Sequence, residues 1–236
     1  VYVPSAMNVE ELKSRVDEVR ERIEAARARA GRGDAVTLVA VTKTHPADVV
    51  RLALEAGVMD VGENRVQEMD EKVGEIGRGA VRWHLIGHLQ RNKAAPAVAL
   101  ADLVHSLDSV RLAEALSAEA VKAGTVVRAL VQVNTSGEES KFGLGADEAL
   151  DAVGRMAALP GLRLEGMMTM APFTDDEAVI RRTFAGARRL CEDAARQVPG
   201  FGTQLSMGMS NDFEAAVEEG STLVRVGSTL FGERGR

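Results

Sequence analysis

The feature that most constrains the fold is a regular alternation of short β-branched runs with helical patterns. The candidate strands are residues 37–43, 58–63, 81–87, 103–108, 126–134, 162–170, 203–208 and 221–227. Apolar residues at helical spacing fill much of the chain between them, as at 47–56, 110–123, 147–159 and 175–197. Because strand–helix–strand units form parallel sheets through right-handed crossovers, this order predicts a parallel α/β fold.

The number of these units selects among parallel architectures. Eight strand–helix units favour a single closed (β/α)8 TIM barrel over an open doubly wound sheet, which remains the alternative. A Gly-x-Gly-x-x-Gly motif, typical of dinucleotide folds, does not follow the first strand. Residues 8–30 begin with Asn8 as an N-cap and predict an extra N-terminal helix. We expect one barrel domain over 8–236, and we interpret 1–7 as a non-native leader or a disordered start.

Composition excludes several classes of function. The net charge of −6 and the absence of a basic stripe argue against nucleic-acid binding. We find no apolar run of the ~20 residues that a membrane-spanning helix needs. The single cysteine, Cys191, excludes an internal disulfide and fits a reducing compartment. We therefore expect a cytoplasmic protein.

Polar and other unusual residues collect at the carboxyl ends of the predicted strands, where parallel barrels carry their chemistry. These residues are Lys43, Glu63, Asn64, His84, Gly87, His88, Ser106, Asn134, Met168, Met170, Ser206, Arg225, Gly227 and Ser228. Lys43 follows an apolar first strand, so its ammonium is expected to lose hydration, which favours the neutral, nucleophilic amine. Lys43 is thus a candidate for Schiff-base chemistry; the alternatives are a side chain that reaches solvent at the rim or a pair with Glu63.

A phosphate site is predicted where the last two strands end. Gly227 and Ser228 follow the eighth strand, and barrels often bind phosphate there with backbone N–H groups. Ser206 on the seventh strand, with Met207 and Gly208 after it, adds a hydroxyl and further amides. The alternative is a glycine turn with ordinary helix caps, for which Ser210 is suitable. A lysine and a phosphate site in one barrel mouth favour a phosphorylated aldehyde or ketone.

Arg225 is expected to point into the barrel, because Val224 and Val226 then point outward. A buried arginine needs an acceptor, which is either an acid such as Glu165 or the ring nitrogen of a ligand. His84 and His88 straddle a strand end without a third ligand, so we expect hydrogen-bonded histidines and no metal site.

Taken together, the motifs resemble the pyridoxal phosphate homeostasis protein family. The matching stretches are VAVTKTHP (39–46), GENRVQE (62–68), WHLIGHLQRNK (83–93), HSLDS (105–109), VQVNTSGEESKFG (131–143), LEGMMTMAP (164–172) and LSMGMSNDFEAAVEEGSTLVRVGSTLFG (205–232). The resemblance implies a barrel like the N-terminal domain of alanine racemases, binding pyridoxal 5′-phosphate (PLP). By residue, it implies a Schiff base on Lys43, a phosphate site at Ser206, Gly227 and Ser228 with Met207 and Gly208 nearby, Arg225 at the pyridine nitrogen, and Asn64 near the ring. We also include His84 and Met168 in the expected cofactor-binding set.

The resemblance further implies a carrier that supplies PLP to apo-enzymes, with little or no turnover. Racemases of this type use a second acid/base, a tyrosine from an additional domain, and the only tyrosine here is Tyr2. An arginine that stays protonated leaves the ring nitrogen unprotonated, which weakens the ring as an electron sink. The alternatives are a PLP-dependent racemase or decarboxylase, or a Schiff-base aldolase acting on a phosphosugar. We expect a monomer that contacts recipient enzymes transiently.

Overall fold

The computed structural model describes residues 7–136 and 143–232, and in them eight parallel strands close into a barrel. The strands are β1 (Thr37–Val41), β2 (Asp60–Glu63), β3 (Arg82–Leu85), β4 (Leu103–Leu107), β5 (Val127–Asn134), a two-residue β6 (Leu144–Gly145), β7 (Leu162–Met168), β8 (Gln204–Met209) and β9 (Leu223–Val226). Their order is β4-β3-β2-β1-β9-β8-β7-β5, and pairing of β4 with β5 closes the barrel, while β6 adds only to β5. The predicted (β/α)8 barrel is confirmed. Residues 1–6 of the segment interpreted as a leader lie outside the described residues.

Helices surround the barrel; α1 precedes the first strand, and the others come between or after the strands. They are α1 (Val9–Arg29), α2 (Ala47–Glu55), α3 (Val66–Ile76), α4 (Ala94–Leu100), α5 (Val110–Lys122), α6 (Ala146–Ala157), α7 (Glu177–Gln197), α8 (Phe213–Glu218) and α9 (Ser228–Phe231). No helix among the described residues combines the length and the apolar character needed to cross a membrane.

The predicted N-terminal helix is confirmed, and it completes the ring of helices. Asn8 caps α1 by accepting a hydrogen bond from the backbone N–H of Glu11 over 2.8 Å. The helix buries an apolar stripe against the outer surface of β9, where Val224 and Val226 lie. The helix that follows β9, α9, has only four residues, so α1 covers the part of the barrel that a long eighth helix covers elsewhere.

The pleat of the strands separates two apolar layers. One layer lies between the barrel and the helices, and a smaller one fills the barrel interior. The interior layer consists of Val39, Leu103, Leu130, Met168 and Leu223. Val224 and Val226 face outward and Arg225 is buried between them, as the alternation predicts.

The first strand is shorter than the predicted 37–43, and this changes the setting of Lys43. Strand β1 ends at Val41, and the chain then turns, with the N–H of His45 donating to the carbonyl of Thr42 over 3.1 Å. Thr44 has a φ of 65°, in the left-handed region that non-glycine residues rarely adopt. Lys43 therefore lies in a tight turn above the barrel, not within the strand.

Candidate functional site

A cavity of about 1180 Å³ opens at the carboxyl end of the barrel. Five of the residues predicted for the site line it: Lys43, Asn64, Arg225, Gly227 and Ser228. Its wall also includes Val41, Ile86, Met170, Met209 and Ser210. The cavity is thus enclosed by the segments that follow β1, β2 and β9, as expected of a parallel barrel.

The other five predicted residues lie behind this wall. His84, Met168, Ser206, Met207 and Gly208 are all buried and do not line the cavity. Met168 packs in the barrel interior and Met207 in the outer core. Gly208 has a φ of 88°, and a Cβ there would lie 2.6 Å from the Cβ of Ala216, so this glycine allows β8 and α8 to pack closely.

The turn that carries Lys43 is held from outside the barrel by α3. Lys72 on α3 donates to the carbonyl of Thr42 over 2.8 Å, and Glu68 accepts from the backbone N–H of Thr44. Both neighbours of Lys43 are therefore bound by one helix. These contacts support the left-handed conformation at Thr44, which costs about 1–3 kcal/mol when it is unsupported.

Lys72 also neutralises the acid that ends β2. Its Nζ lies 2.6 Å from Glu63 Oε1 and 3.1 Å from Glu68 Oε1, and the side chains of Lys72 and Glu63 are 5% and 0% exposed. Burial raises the pKa of Glu63, while the adjacent Lys72 charge opposes that rise. The Oε2 atom of Glu63 is buried without a hydrogen-bond partner among the described residues. This buried group faces α3, on the opposite side of the barrel wall from the cavity.

Arg225 brings a fixed positive charge to the base of the cavity. Its guanidinium donates to Ser206 Oγ and, over 3.1 Å, to the carbonyl of Thr169. Burial lowers the pKa of Arg225 to about 10, which leaves it charged at neutral pH. The predicted alternative, an ion pair with Glu165, is wrong, since Glu165 lies in the middle of β7 and pairs with Arg128 and Arg163.

Ser210 is the cavity residue whose role the sequence did not resolve. Its hydroxyl lies 3.3 Å from the backbone N of Gly227 and 3.4 Å from that of Thr229, so it accepts from the start of α9. Ser210 is not the ordinary N-cap of the helix that follows it, since α8 begins after Asp212; its hydroxyl instead reaches the start of α9 from the loop after β8. Ser210 also lies in the loop beside the last strand, where barrels often bind anions, and this position is the sequence signal that it can contact one.

The histidines are hydrogen-bonded as expected. His84 is buried and contacts Asp60 and His105, whereas His88 is exposed and lies 3.0 Å from Asp108. Among the residues of 7–136 and 143–232, no group of three or more His, Cys, Asp or Glu side chains is arranged to hold a metal ion.

The donor set defines what the cavity can bind. It offers a primary amine at Lys43, a permanent cation at Arg225, and hydroxyl and amide groups at Ser210, Gly227 and Ser228. Apolar side chains separate these groups, as in most small-molecule sites. An aldehyde or ketone with a phosphate and a hydrogen-bond acceptor on its ring matches all three.

Comparison with known proteins agrees with this chemistry. The model of the alanine racemase N-terminal domain family matches residues 15–235. A pyridoxal phosphate homeostasis protein of Aquifex aeolicus is 38% identical over 221 residues, which are 93% of this chain and 97% of the relative. The structure of PipY from Synechococcus elongatus with PLP bound has a TM-score of 0.83 and 35% identity, and covers 94% of this chain and 100% of PipY. An alanine racemase of Clostridium difficile shares the fold, with a TM-score of 0.76 and 16% identity over 98% of this chain and 58% of the racemase.

Proposed function

The chain belongs to the alanine racemase N-terminal domain family and, within it, to the pyridoxal phosphate homeostasis proteins, and from this membership we propose that it binds PLP and takes part in PLP homeostasis. The single observation that carries the proposal is the shared cavity of Lys43, Arg225 and Ser228. PLP has one group for each of them: an aldehyde, a ring nitrogen and a phosphate.

The residues of the cavity take separate roles in this proposal. Lys43 forms a Schiff base with the PLP aldehyde, and Asn64 contacts the ring from the end of β2. Gly227 and Ser228 bind the phosphate, and Ser210 joins them in place of Ser206, because its hydroxyl is on the cavity wall. Ser206, Met207, Gly208, Met168 and His84 support these contacts from behind.

The charge of Arg225 favours storage over catalysis. When bound, PLP supplies an electrophilic aldehyde and an aromatic ring that withdraws electrons best when its nitrogen is protonated. Arg225 only donates hydrogen bonds, so the ring nitrogen that faces it accepts one and stays unprotonated. The alternative role, a PLP-dependent racemase or decarboxylase, requires the stronger electron sink. The relatives carry the name of homeostasis proteins, which agrees with a carrier.

Reduction of the loaded protein tests the proposal. PLP is added, the visible absorption band is recorded, and borohydride followed by peptide mapping locates the modified lysine. We expect the adduct on Lys43, its loss in Lys43→Ala, and its retention in Lys122→Ala, where the side chain is 78% exposed on α5. An adduct on another lysine, or none, would contradict the proposal. Enzyme-like exchange of amino-acid α-protons in deuterated water would favour the catalytic alternative.

Four finer points belong to the same proposal. We infer that the carrier acts as a monomer in the cytoplasm, as one barrel domain over 8–236, and passes PLP to apo-enzymes during transient contact. The position of the cavity at the end of the barrel supports the transfer of PLP, and the single cysteine supports a reducing compartment. Sedimentation equilibrium tests the monomer, and recovery of activity by an apo-enzyme mixed with loaded carrier tests the transfer. A stable dimer would contradict the monomer. Transfer by contact would be contradicted if the apo-enzyme regained activity no faster than it does with PLP that has first dissociated into solution.

A further inference from the structure

Five buried side chains form an unbroken line of hydrogen bonds below the cavity. Arg225 contacts Ser206 Oγ, which lies 2.9 Å from His105 Nδ1. His105 Nε2 lies 2.8 Å from His84 Nδ1, and His84 Nε2 lies 2.9 Å from Asp60 Oδ1. All five residues are at most 6% exposed. The line crosses the barrel interior from β8 and β9 to β4, β3 and β2.

The two ends of the line reach opposite faces of the barrel. Arg225 lines the large cavity at the carboxyl ends of the strands. Asp60 is the first residue of β2 and lines a separate cleft of about 250 Å³ at the amino ends. Arg82 pairs with Asp60 there, and its side chain is 59% exposed. The line therefore connects the proposed cofactor pocket with the solvent on the far side.

The charges at the two ends fix the direction of the first and the last hydrogen bond. Arg225 can only donate, and an ionised Asp60 can only accept. The pKa of Asp60 falls to about 2: burial opposes that fall, but the hydrogen bonds of His84 and Arg82 outweigh it. His84 must therefore carry a proton on Nε2. Burial first, and then the positive charge of Arg225, hold the pKa of His105 well below 6.5, so His105 is neutral.

Two arrangements of the middle remain, and the hydroxyl of Ser206 decides between them. In the first, Ser206 donates to His105 Nδ1 and His105 Nε2–H donates to a neutral His84. In the second, His105 donates to Ser206 and accepts from a doubly protonated His84. The second leaves the hydroxyl hydrogen of fully buried Ser206 without an acceptor among the described residues, which costs about 1–3 kcal/mol. Only the first pairs each donor with an acceptor.

We propose that Asp60, His84 and His105 are positioning residues for Arg225, acting through a hydrogen-bond chain with the fixed direction Arg225 → Ser206 → His105 → His84 → Asp60. The chain keeps Ser206 oriented as an acceptor, so the guanidinium is held in one orientation with its remaining N–H groups free to turn toward the cavity. It also gives the buried cation of Arg225 a polarised path to the carboxylate of Asp60. The direction of the chain is independent of PLP, whereas its effect on the PLP ring rests on the proposed function.

Nitrogen-15 NMR of the PLP-free native protein tests the direction of the hydrogen-bond chain. The ring nitrogens of His84 and His105 are assigned by comparison with His45→Gln and His88→Gln, which change the two other histidines. We expect both His84 and His105 as neutral tautomers protonated on Nε2. A proton on Nδ1 of His105, or a doubly protonated His84 at neutral pH, would overturn the proposal.

A variant pair tests the positioning role. Asp60→Leu removes the final acceptor, and Arg82→Leu removes its surface partner but keeps the carboxylate. We expect Asp60→Leu to lose the single Nε2–H tautomers and to shift the visible band of bound PLP, while Arg82→Leu preserves both. PLP that binds Asp60→Leu with an unshifted band would overturn positioning. If the native protein shows no visible PLP band at all, the proposed function is wrong. The NMR tautomers, which are measured without PLP, still test the hydrogen-bond chain.

Discussion

The ammonium of Lys72 lies 2.8 Å from the carbonyl oxygen of Thr42, the residue just before Lys43. The same ammonium lies 2.6 Å from Glu63 Oε1, so one buried cation fixes both the end of β2 and the turn after β1. Glu68 holds the other side of the turn at the N–H of Thr44. The position of the proposed PLP lysine thus depends on a residue outside the cavity.

Replacing Lys72 by methionine should destabilise the protein and disturb Lys43. The substitution leaves Glu63 buried without its cation, and loss of one partner of a buried pair costs about 3–5 kcal/mol. Urea unfolding measures this loss. We also expect slower formation of the visible PLP band, because the carbonyl of Thr42 is no longer held.

A double variant separates these two effects. In Lys72→Met with Glu63→Leu, the buried charge is gone and most of the stability should return, as apolar replacements of buried pairs often show. The slow band formation should persist, since the contact with the Thr42 carbonyl is still missing. Full recovery of both properties would contradict a role for Lys72 in holding the turn.

The fold was largely predictable because its signals are local. Each strand is a short apolar run, and glycines with positive φ follow the C-caps of α2 and α5, at Gly57 and Gly124. Strand ends were less predictable, since β1 stops at Val41 for a reason found on α3, 30 residues beyond Thr42. The use of α1 to cover β9 also depends on contacts between the two ends of the chain.

The site was predictable only in part, because the direction of a side chain depends on the pleat and on bulges. Arg225 was placed inward by simple alternation, and the structure agrees. Ser206 was assigned to the cavity, but it faces the barrel interior one level below, while Ser210 reaches the wall. The register of β8 against β9 shifts between these two serines, at Ser206 and Met209, and sequence alone does not reveal such a shift.

Ser210→Ala should weaken the binding of PLP but not of pyridoxal, which lacks the phosphate. Loss of a hydrogen bond to a charged group costs about 1.5–3 kcal/mol, which is roughly a 10- to 100-fold rise in Kd for PLP. Equilibrium titration with both compounds measures the difference. In Ser206→Ala, whose hydroxyl contacts Arg225, we expect no selective loss for PLP. Equal weakening of both compounds by Ser210→Ala would count against its phosphate role.

Cys191 should be unreactive until the protein unfolds. The residue is 2% exposed, and burial raises the pKa of its thiol to about 12. Since the thiolate is the reactive form, alkylation by iodoacetamide at pH 8 should be much slower than for a free thiol. Mass spectrometry in increasing urea should show alkylation that follows the unfolding curve. Rapid alkylation without urea would contradict the buried position on α7.

The buried neutral His105 predicts how stability falls with acid. Below about pH 6.5 the unfolded chain protonates this histidine, whereas the folded protein does not, because burial and the positive charge of Arg225 hold its pKa down. Its contribution is therefore fully present above about pH 6.5 and decreases by about 1.4 kcal/mol per pH unit as the pH falls below that value. Asp60 affects stability in a lower pH range, since its contribution is lost only as the pH falls from about 4 toward 2.

Urea unfolding of the PLP-free protein between pH 7.5 and 4.5 measures this effect of His105. We expect the free energy of unfolding to fall more steeply with decreasing pH in the native protein than in His105→Gln. If the free energy of unfolding fell in parallel for the two proteins, His105 would take up its proton in the folded state. The proposed hydrogen-bond chain, in which His105 is neutral, would then be wrong.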